Sequence, residues 1–161
     1  MKKLALVVLV ALVGMSASAQ KGKMAVGLSG VFSPCVESGA DWKPFGVAGK
    51  LQYGFTDNFR GELNLGYDFK HHGADMLTAA VNLHYLFNVA ESFNIYPVVG
   101  VGYGRFLISE SELGVNRVIA NAGFGAEYWL SDSFALNLEA KFQYVKDLNR
   151  IPISLGFSYK F

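Results

Sequence analysis

The sequence of 161 residues has the length of one domain, and its 14 basic and 13 acidic residues lack the positive excess of a nucleic-acid-binding protein. A single cysteine, Cys35, excludes a disulfide within the chain. Beyond the N-terminus no segment is apolar enough for a transmembrane helix, so a mature chain in a membrane would have to be a closed β-barrel.

The N-terminus has the three parts of a secretory signal peptide. Two lysines precede an apolar run over residues 4–15, and Ala17-Ser18-Ala19 supplies a small-residue cleavage site. The run is shorter than the roughly 20 apolar residues that a membrane anchor needs. We therefore expect residues 1–19 to be a signal peptide and residues 20–161 to form the mature domain. No cysteine follows the apolar run, which argues against a lipid-modified N-terminus.

Eight later segments of about eleven residues alternate between large apolar side chains and small or polar ones. A period of two is that of a β-strand with two unlike faces. In chain order the predicted strands are residues 23–33, 45–55, 59–69, 76–87, 95–106, 118–130, 134–145 and 151–161. The alternation is unbroken in the last strand, where every second residue from Ile151 to Phe161 is large and apolar.

Short turns alternate with longer connections between these strands. The turns Thr56–Asn58 and Ser131–Ser133 contain Asp, Asn or Ser, which favours hairpins and hence antiparallel neighbours. The longer connections are residues 34–44, 70–75, 107–117 and 146–150. Pro97 donates no ladder hydrogen bond, so it is expected near a rim or a bulge of the sheet.

A period of two does not by itself show which face meets water. A soluble ligand-binding barrel buries its apolar face, whereas a membrane barrel turns that face to lipid. Here the apolar face carries no charge except Arg105, and the opposite face is rich in Gly and Ala, which suit the narrow interior of an eight-stranded barrel. These features favour the membrane barrel, and cell fractionation would separate it from a soluble carrier.

Aromatic residues of the apolar face gather at two levels near the strand ends. Two such rings are expected at the two interfaces of a bilayer. The predicted membrane-interface aromatics are Phe45, Phe69, Tyr103 and Tyr144 near the longer connections, and Phe55, Phe59, Phe134 and Phe161 near the short turns. Trp42 and Trp129 are expected to act as further interfacial anchors.

The opposite face carries charges that would project into the lumen. The predicted polar network consists of Lys50, Arg60, Glu62, His84, Glu127, Glu139 and Lys141, and Asp68 and Lys160 share the same face. Pairing Phe55 with Phe59 would set Gln52 opposite Glu62, and pairing Phe69 with Leu77 would set Glu62 opposite His84. The network could be an ion or proton path, but charges in a narrow lumen need partners, which favours a paired polar core.

The signal peptide, the eight alternating strands and the terminal segment Leu155–Phe161 together resemble the small eight-stranded outer-membrane barrel family, the OmpA- and OmpX-like proteins. The resemblance implies an all-β fold: an eight-stranded antiparallel up-and-down transmembrane β-barrel. It also implies that the termini and short turns face the periplasm and that the longer connections are surface loops. Phe157, Tyr159 and Phe161 resemble the signal by which the barrel-assembly machinery recognises its clients.

These observations predict a non-enzymatic integral outer-membrane protein with a structural or surface-interaction role. The alternative is a narrow, porin-like passive channel for ions or small solutes. The expected partners are outer-membrane lipid and, during biogenesis, the assembly machinery, with no nucleic acid, no cofactor and a monomeric state. His71, His72 and Asp75 could hold a surface metal ion, but adjacent histidines diverge, so no metal site is predicted.

Overall fold

The computed structural model describes residues 22–37, 42–71, 73–108, 111–146 and 148–161, so the predicted signal peptide lies outside the described residues. In this part of the chain no helix is long and apolar enough to cross a bilayer. The strands are β1 (Met24–Phe32), β2 (Phe45–Gly54), β3 (Phe59–His71), β4 (Ala74–Tyr85), β5 (Phe87–Ala90), β6 (Phe93–Ile108), β7 (Ser111–Trp129), β8 (Phe134–Val145) and β9 (Ile153–Lys160).

The strands form one closed antiparallel sheet. The first and last strands meet, because β1 pairs with both β2 and β9. The short β5 follows β4 after an interruption at Leu86, and both pair with β6, so β4 and β5 act as one barrel strand. The nine segments therefore make an eight-stranded up-and-down barrel, and the predicted fold class is confirmed.

The two faces of the sheet point as predicted. Leu63, Leu138 and Phe157 are 44%, 52% and 42% exposed, whereas Glu62 and Lys141 are only 2% and 8% exposed. An apolar outer surface that encircles the whole barrel would be unfavourable in water but suits a hydrocarbon surrounding.

Two turns at one end of the barrel have the same construction. The amide of Phe55 donates to the carbonyl of Phe59 at 2.9 Å, and the amide of Leu130 donates to the carbonyl of Phe134 at 2.9 Å. In each turn a hydroxyl, Thr56 or Ser131, accepts from the amide three residues later. We call this end, with residues 55–58, 91–92 and 130–133, the turn rim; the opposite end, with residues 34–37, 42–44, 73 and 148–152, is the loop rim.

Two predicted loops at the loop rim are largely strand, so those boundaries were wrong. β3 runs to His71 and β4 begins at Ala74, while β6 runs to Ile108 and β7 begins at Ser111. The loops were predicted from polarity alone, but backbone pairing continues through these polar residues. Gly73, with φ of +84°, occupies the left-handed conformation that the tight β3–β4 turn requires.

One predicted register is correct and one is wrong by two residues. Gln52 lies opposite Glu62, as the short turn after β2 indicated. Across β3 and β4, however, Tyr67 rather than Phe69 lies opposite Leu77. The pairing is irregular between Asp68 and His71, where β3 carries one extra residue. Glu62 therefore lies opposite Asn82, and Arg60 lies opposite His84.

Candidate functional site in the lumen

The seven charged residues of the predicted polar network all lie inside the barrel. None is more than 8% exposed. They come from five strands: Lys50 from β2, Arg60 and Glu62 from β3, His84 from β4, Glu127 from β7, and Glu139 and Lys141 from β8. Strand alternation alone aims them inward, because each occupies a position of the small and polar face.

The layer nearest the turn rim is centred on Arg60 and includes its partners His84, Tyr96 and Glu127. We call it the turn-side layer. Arg60 donates to Glu127 Oε2 at 2.7 Å and to His84 Nδ1 at 3.2 and 3.3 Å. Its guanidinium carbon also lies 5.0 Å from the centre of the Tyr96 ring. The second oxygen of Glu127 accepts from Asn94 Nδ2 at 2.9 Å, so both ions of the pair are solvated by protein groups.

The middle layer contains Glu62, Glu139 and Lys141. Lys141 Nζ lies 2.6 Å from Glu139 Oε1, and Tyr96 donates to Glu139 Oε2 at 3.2 Å. Glu62 accepts from Gln52 at 2.9 Å and from Asn82 at 3.0 Å. The Tyr96–Glu139 contact skips a strand, since β6 supplies Tyr96 and β8 supplies Glu139, with β7 between them. The other three contacts join residues on the same strand or on adjacent strands. Lys50 lines the same small cavity as Glu139 and Lys141.

A chain of side-chain amides links the middle layer to a third layer at the loop rim, which contains Asp68, Gln143 and Arg150. Asn121 donates to Asn82 at 3.1 Å, and Gln143 donates to Asn121 at 2.8 Å. Arg150 then donates to Gln143 and forms an ion pair with Asp68. Hydrogen bonds therefore run without a gap from Glu62 to the loop rim, whereas Glu62 approaches the turn-side layer through His84 Nε2 at 3.9 Å, beyond hydrogen-bond distance.

Arg150 is an important lumen residue that sequence reasoning missed, and Tyr96 is another. The sequence predicts Arg150 in the surface loop 146–150, but it is 2% exposed and its backbone pairs with Gln143 at 2.8 and 3.1 Å. The one available signal was Asp68, an inward-facing carboxylate near a strand end that needed a cation. Nothing local to Arg150 identified it as that cation.

An apolar cluster covers the third layer at the loop rim, and we call it the lid. Its buried members are Cys35, Trp42, Met76, Ile119 and Val145, with Phe106 and Leu148 packed against them. The Arg150 guanidinium lies 5.7 Å from the centre of the Trp42 ring. Trp42 also donates to the carbonyl of His71 at 3.1 Å, which fixes the ring over the mouth of the barrel.

The expectation that Trp42 and Trp129 are membrane anchors was wrong. Trp42 is 8% exposed within the lid. Trp129 has the inward parity of Glu127, donates to Glu127 at 3.3 Å, and has the Lys160 ammonium 4.5 Å from its ring centre. Both indoles therefore lie at the ends of the lumen instead of reaching the lipid.

Glu62, His84 and Glu139 place three ligand atoms within 4.8 Å of one another, a spacing that a divalent cation could use. His84 Nδ1 faces Arg60, which only donates, so Nδ1 must accept and the neutral ring carries its proton on Nε2. That N–H points between the carboxylates, 3.9 Å from Glu62 and 4.0 Å from Glu139. A protonated Nε2 is no metal ligand, so this protonation pattern favours an ion-pair network over a metal centre.

The network leaves little free space in the lumen. A cavity of about 40 Å³ lies between the middle and third layers, with Lys50, Asp68 and Lys141 in its wall. That volume holds roughly two or three water molecules. A wider vestibule of about 400 Å³ opens at the turn rim beside Arg60 and Glu127.

The predicted interface aromatics lie on the outer surface of the barrel. Phe45 and Tyr144 are 67% and 55% exposed, Phe55 is 62% exposed, and Phe134 is half-buried against the Phe157 ring. Phe69, Tyr103, Phe59 and Phe161 are also exposed. Their location at the bilayer interfaces stays a prediction.

The predicted assembly signal lies on the outer face of β9 and just beyond it. Phe157, Tyr159 and Phe161 are all exposed there. The amide of Phe161 donates to the carbonyl of Met24 at 3.0 Å, which joins the C-terminus to the start of β1. Recognition of these residues by the assembly machinery stays a prediction.

Whether His71, His72 and Asp75 could hold a surface metal ion is not tested, because His72 lies outside the described residues. The Asp75 carboxylate accepts a hydrogen bond from the Tyr67 hydroxyl at 2.7 Å.

Comparison with known proteins gives a consistent picture. A family profile described as outer membrane protein beta-barrel domain matches residues 5–161. A search of curated protein sequences found no match.

Three solved structures share this fold with the chain. Ail, the attachment invasion locus protein of Yersinia pestis, has a TM-score of 0.67 at 18% identity, covering 88% of this chain and 100% of that one. The N-terminal barrel of Pseudomonas aeruginosa OprF has a TM-score of 0.68 at 18% identity, with the same coverage. Neisserial surface protein A has a TM-score of 0.71 at 12% identity, covering 87% and 97%.

Proposed function

The chain belongs to the family of outer membrane protein beta-barrel domains, and from this premise we propose that it is a non-enzymatic envelope protein whose lumen is closed. Its apolar outer surface is embedded in outer-membrane lipid. The loop rim faces outward and the turn rim faces the periplasm. The barrel contributes a structural wall element and presents its loop rim for surface contacts.

The observation that carries this proposal is the set of ion pairs that cross the lumen. Arg60 on β3 reaches Glu127 on β7, and Arg150 reaches Asp68 on β3. A permeating ion would have to separate these buried pairs, and breaking such a pair costs about 3–5 kcal/mol. The lid adds an apolar barrier in series at the loop rim.

A second candidate is a narrow passive channel, which is favoured by the water-sized cavity between the layers and by the vestibule at the turn rim. The middle layer would then be its gate. One comparison structure is an attachment protein and another a barrel domain of OprF, so the likeness supports the shared barrel and does not choose between these roles.

Single-channel recording in planar bilayers separates the two candidates. We expect refolded protein to give a quiet baseline, with only brief, irregular openings. The variant E139A/K141A, which removes the 2.6 Å pair of the middle layer but leaves the lid in place, should make the brief openings more frequent if it folds. Leu65→Ala on the lipid face is the matched control and should stay quiet. Steady open steps from the unaltered protein would refute the closed barrel and favour the channel.

We further propose that the protein is a monomer and that the assembly machinery recognises Phe157, Tyr159 and Phe161. Deleting Phe161 should reduce outer-membrane assembly in cells while refolding into detergent micelles persists. An equal loss in both assays would indicate a folding role for Phe161 and contradict the recognition role.

A further inference from the structure

Lys50 is a buried cation of the lumen for which the described residues offer no ion pair. The other buried cations there, Arg60, Lys141 and Arg150, each have a carboxylate at ion-pair distance. Lys50 is 7% exposed, yet among the described residues its ammonium has no carboxylate at that distance and no hydrogen-bond partner. An ionised ammonium that is buried without a partner is costly, so the surroundings of Lys50 call for a further acceptor.

The Lys50 side chain lies across β1 and away from β3. Lys50 is opposite Gly27 of β1 in the sheet, and a Cβ at position 27 would lie 2.7 Å from Lys50 Cε. The glycine therefore makes room for the lysine stem. Glu62 lies on β3, which flanks β2 on the side opposite β1. Its carboxylate already accepts hydrogen bonds from Gln52 and Asn82, so those amides hold it in place of Lys50.

The cavity between the middle and third layers, which Lys50 lines, has an excess of positive charge in its wall. Lys50, Lys141 and Arg150 contribute three cations, and Asp68 and Glu139 contribute two carboxylates. Each carboxylate is taken by one of these cations: Asp68 by Arg150, and Glu139 by Lys141 at 2.6 Å. The charge that remains without a partner at the cavity is that of the Lys50 ammonium.

Hydroxyl groups add further hydrogen-bond donors to this wall. Ser29 and Ser154 line the same cavity, and within the described part of the chain neither hydroxyl has a hydrogen-bond partner. A hydroxyl can rotate to donate, and an ammonium has three donors and no acceptor. A group that only accepts would therefore satisfy Lys50 and both hydroxyls together, whereas a water molecule must also donate.

We propose that this cavity binds one small monovalent anion of the halide class, such as chloride, as the counter-ion of Lys50. Hydrogen bonds from an ammonium to an anion are charge-assisted and stronger than those to a neutral acceptor. A chloride ion is only slightly larger than a water molecule, so it fits a cavity of about 40 Å³. A sugar-acid anion such as gluconate does not fit. The bound anion stabilises the folded barrel, because the unfolded chain has no such cavity.

Anomalous diffraction at the bromine absorption edge tests the proposal on the unaltered protein. Crystals grown in sodium bromide should show an anomalous peak in the cavity at hydrogen-bond distance from Lys50 Nζ. K50M keeps an unbranched stem over Gly27 but removes the ammonium, so its crystals should lack that peak. Solvent alone in the cavity of the unaltered protein, or bromide at surface positions only, would overturn the proposal.

Urea unfolding in lipid vesicles at constant ionic strength is the second test. Replacing gluconate by chloride should raise the unfolding midpoint of the unaltered protein and of the exposed-site control K23Q more than that of K50M, whose response measures the general salt effect. At a chloride concentration about ten times the dissociation constant, the ratio of folded to unfolded protein should rise about elevenfold. An equal response in K50M would overturn the proposal. Should K50M not fold, the bromide map of the unaltered protein decides alone.

Discussion

The Arg60–Glu127 pair offers the sharpest test of the lumen network. Arg60→Met would leave the Glu127 carboxylate buried at 2% exposure, with Asn94 and Trp129 as its remaining donors and no cation. Removing one member of a buried pair costs about 3–5 kcal/mol. Glu127→Leu should cost a similar amount, because the Arg60 guanidinium would then be buried without its anion.

The double variant R60M/E127L should lose far less than the sum of the two single variants. Replacing both ions by apolar groups of similar size removes the uncompensated charge, and such replacements are often close to neutral. Asn94 and Trp129 lose an acceptor, but they line the vestibule at the turn rim, where water can accept their hydrogen bonds instead. We therefore expect a coupling energy of about 3 kcal/mol in the double-mutant cycle.

The assay is reversible urea unfolding in lipid vesicles, followed by tryptophan fluorescence and by the gel shift of the folded barrel. The matched control is the exposed pair Lys23–Asp57, whose side chains are 73% and 87% exposed. Its cycle with K23Q and D57N should give a coupling below about 1 kcal/mol. Additive effects at Arg60 and Glu127, within about 0.5 kcal/mol, would refute the claim that these ions depend on each other.

Two further predictions concern the outer face and the lid. Leu65→Arg, in the middle of β3 on the lipid face, should cost about 2–4 kcal/mol, whereas Asn64→Asp on the lumen side should be milder; equal effects in a refolding titration would contradict the facing of β3. Cys35, 9% exposed within the lid, should react slowly with a maleimide. Trp42→Ala should raise that rate about tenfold or more, and an unchanged rate would disprove the lid.

The strands and their facing could be predicted because both are local properties. Alternation in a segment such as Phe59–Phe69 requires no knowledge of any other strand, and the absence of charge on its apolar face excludes water as the surrounding. The turn Thr56–Asn58 likewise fixed the register of β2 and β3, since a short turn leaves one pairing.

The wrong predictions concern residues whose positions depend on contacts with residues distant in the sequence. The extra residue of β3 between Asp68 and His71 has no sequence signal, yet it shifts the pairing with β4 by one position, and the turn that sets His71 opposite Ala74 shifts it by one more. Trp42 and Arg150 lie in the connections 34–44 and 146–150. The paths of these two connections over the mouth of the barrel depend on contacts between them. By contrast, strand parity already placed Trp129 with Glu127, so its assignment to the membrane interface was an avoidable error.

Quenching of tryptophan fluorescence by brominated lipids tests the central claim, that lipid contacts the apolar face and that the polar face lines a closed interior. The variant W42F/W129F/L65W carries one indole on the outer face, whereas W129F and W42F retain the native indoles of the lid and of the turn rim. We predict strong quenching of Trp at position 65, greatest for lipids brominated deep in the acyl chain, and weak quenching of Trp42 and Trp129. Strong quenching of the two native indoles with a protected indole at position 65 would contradict the account.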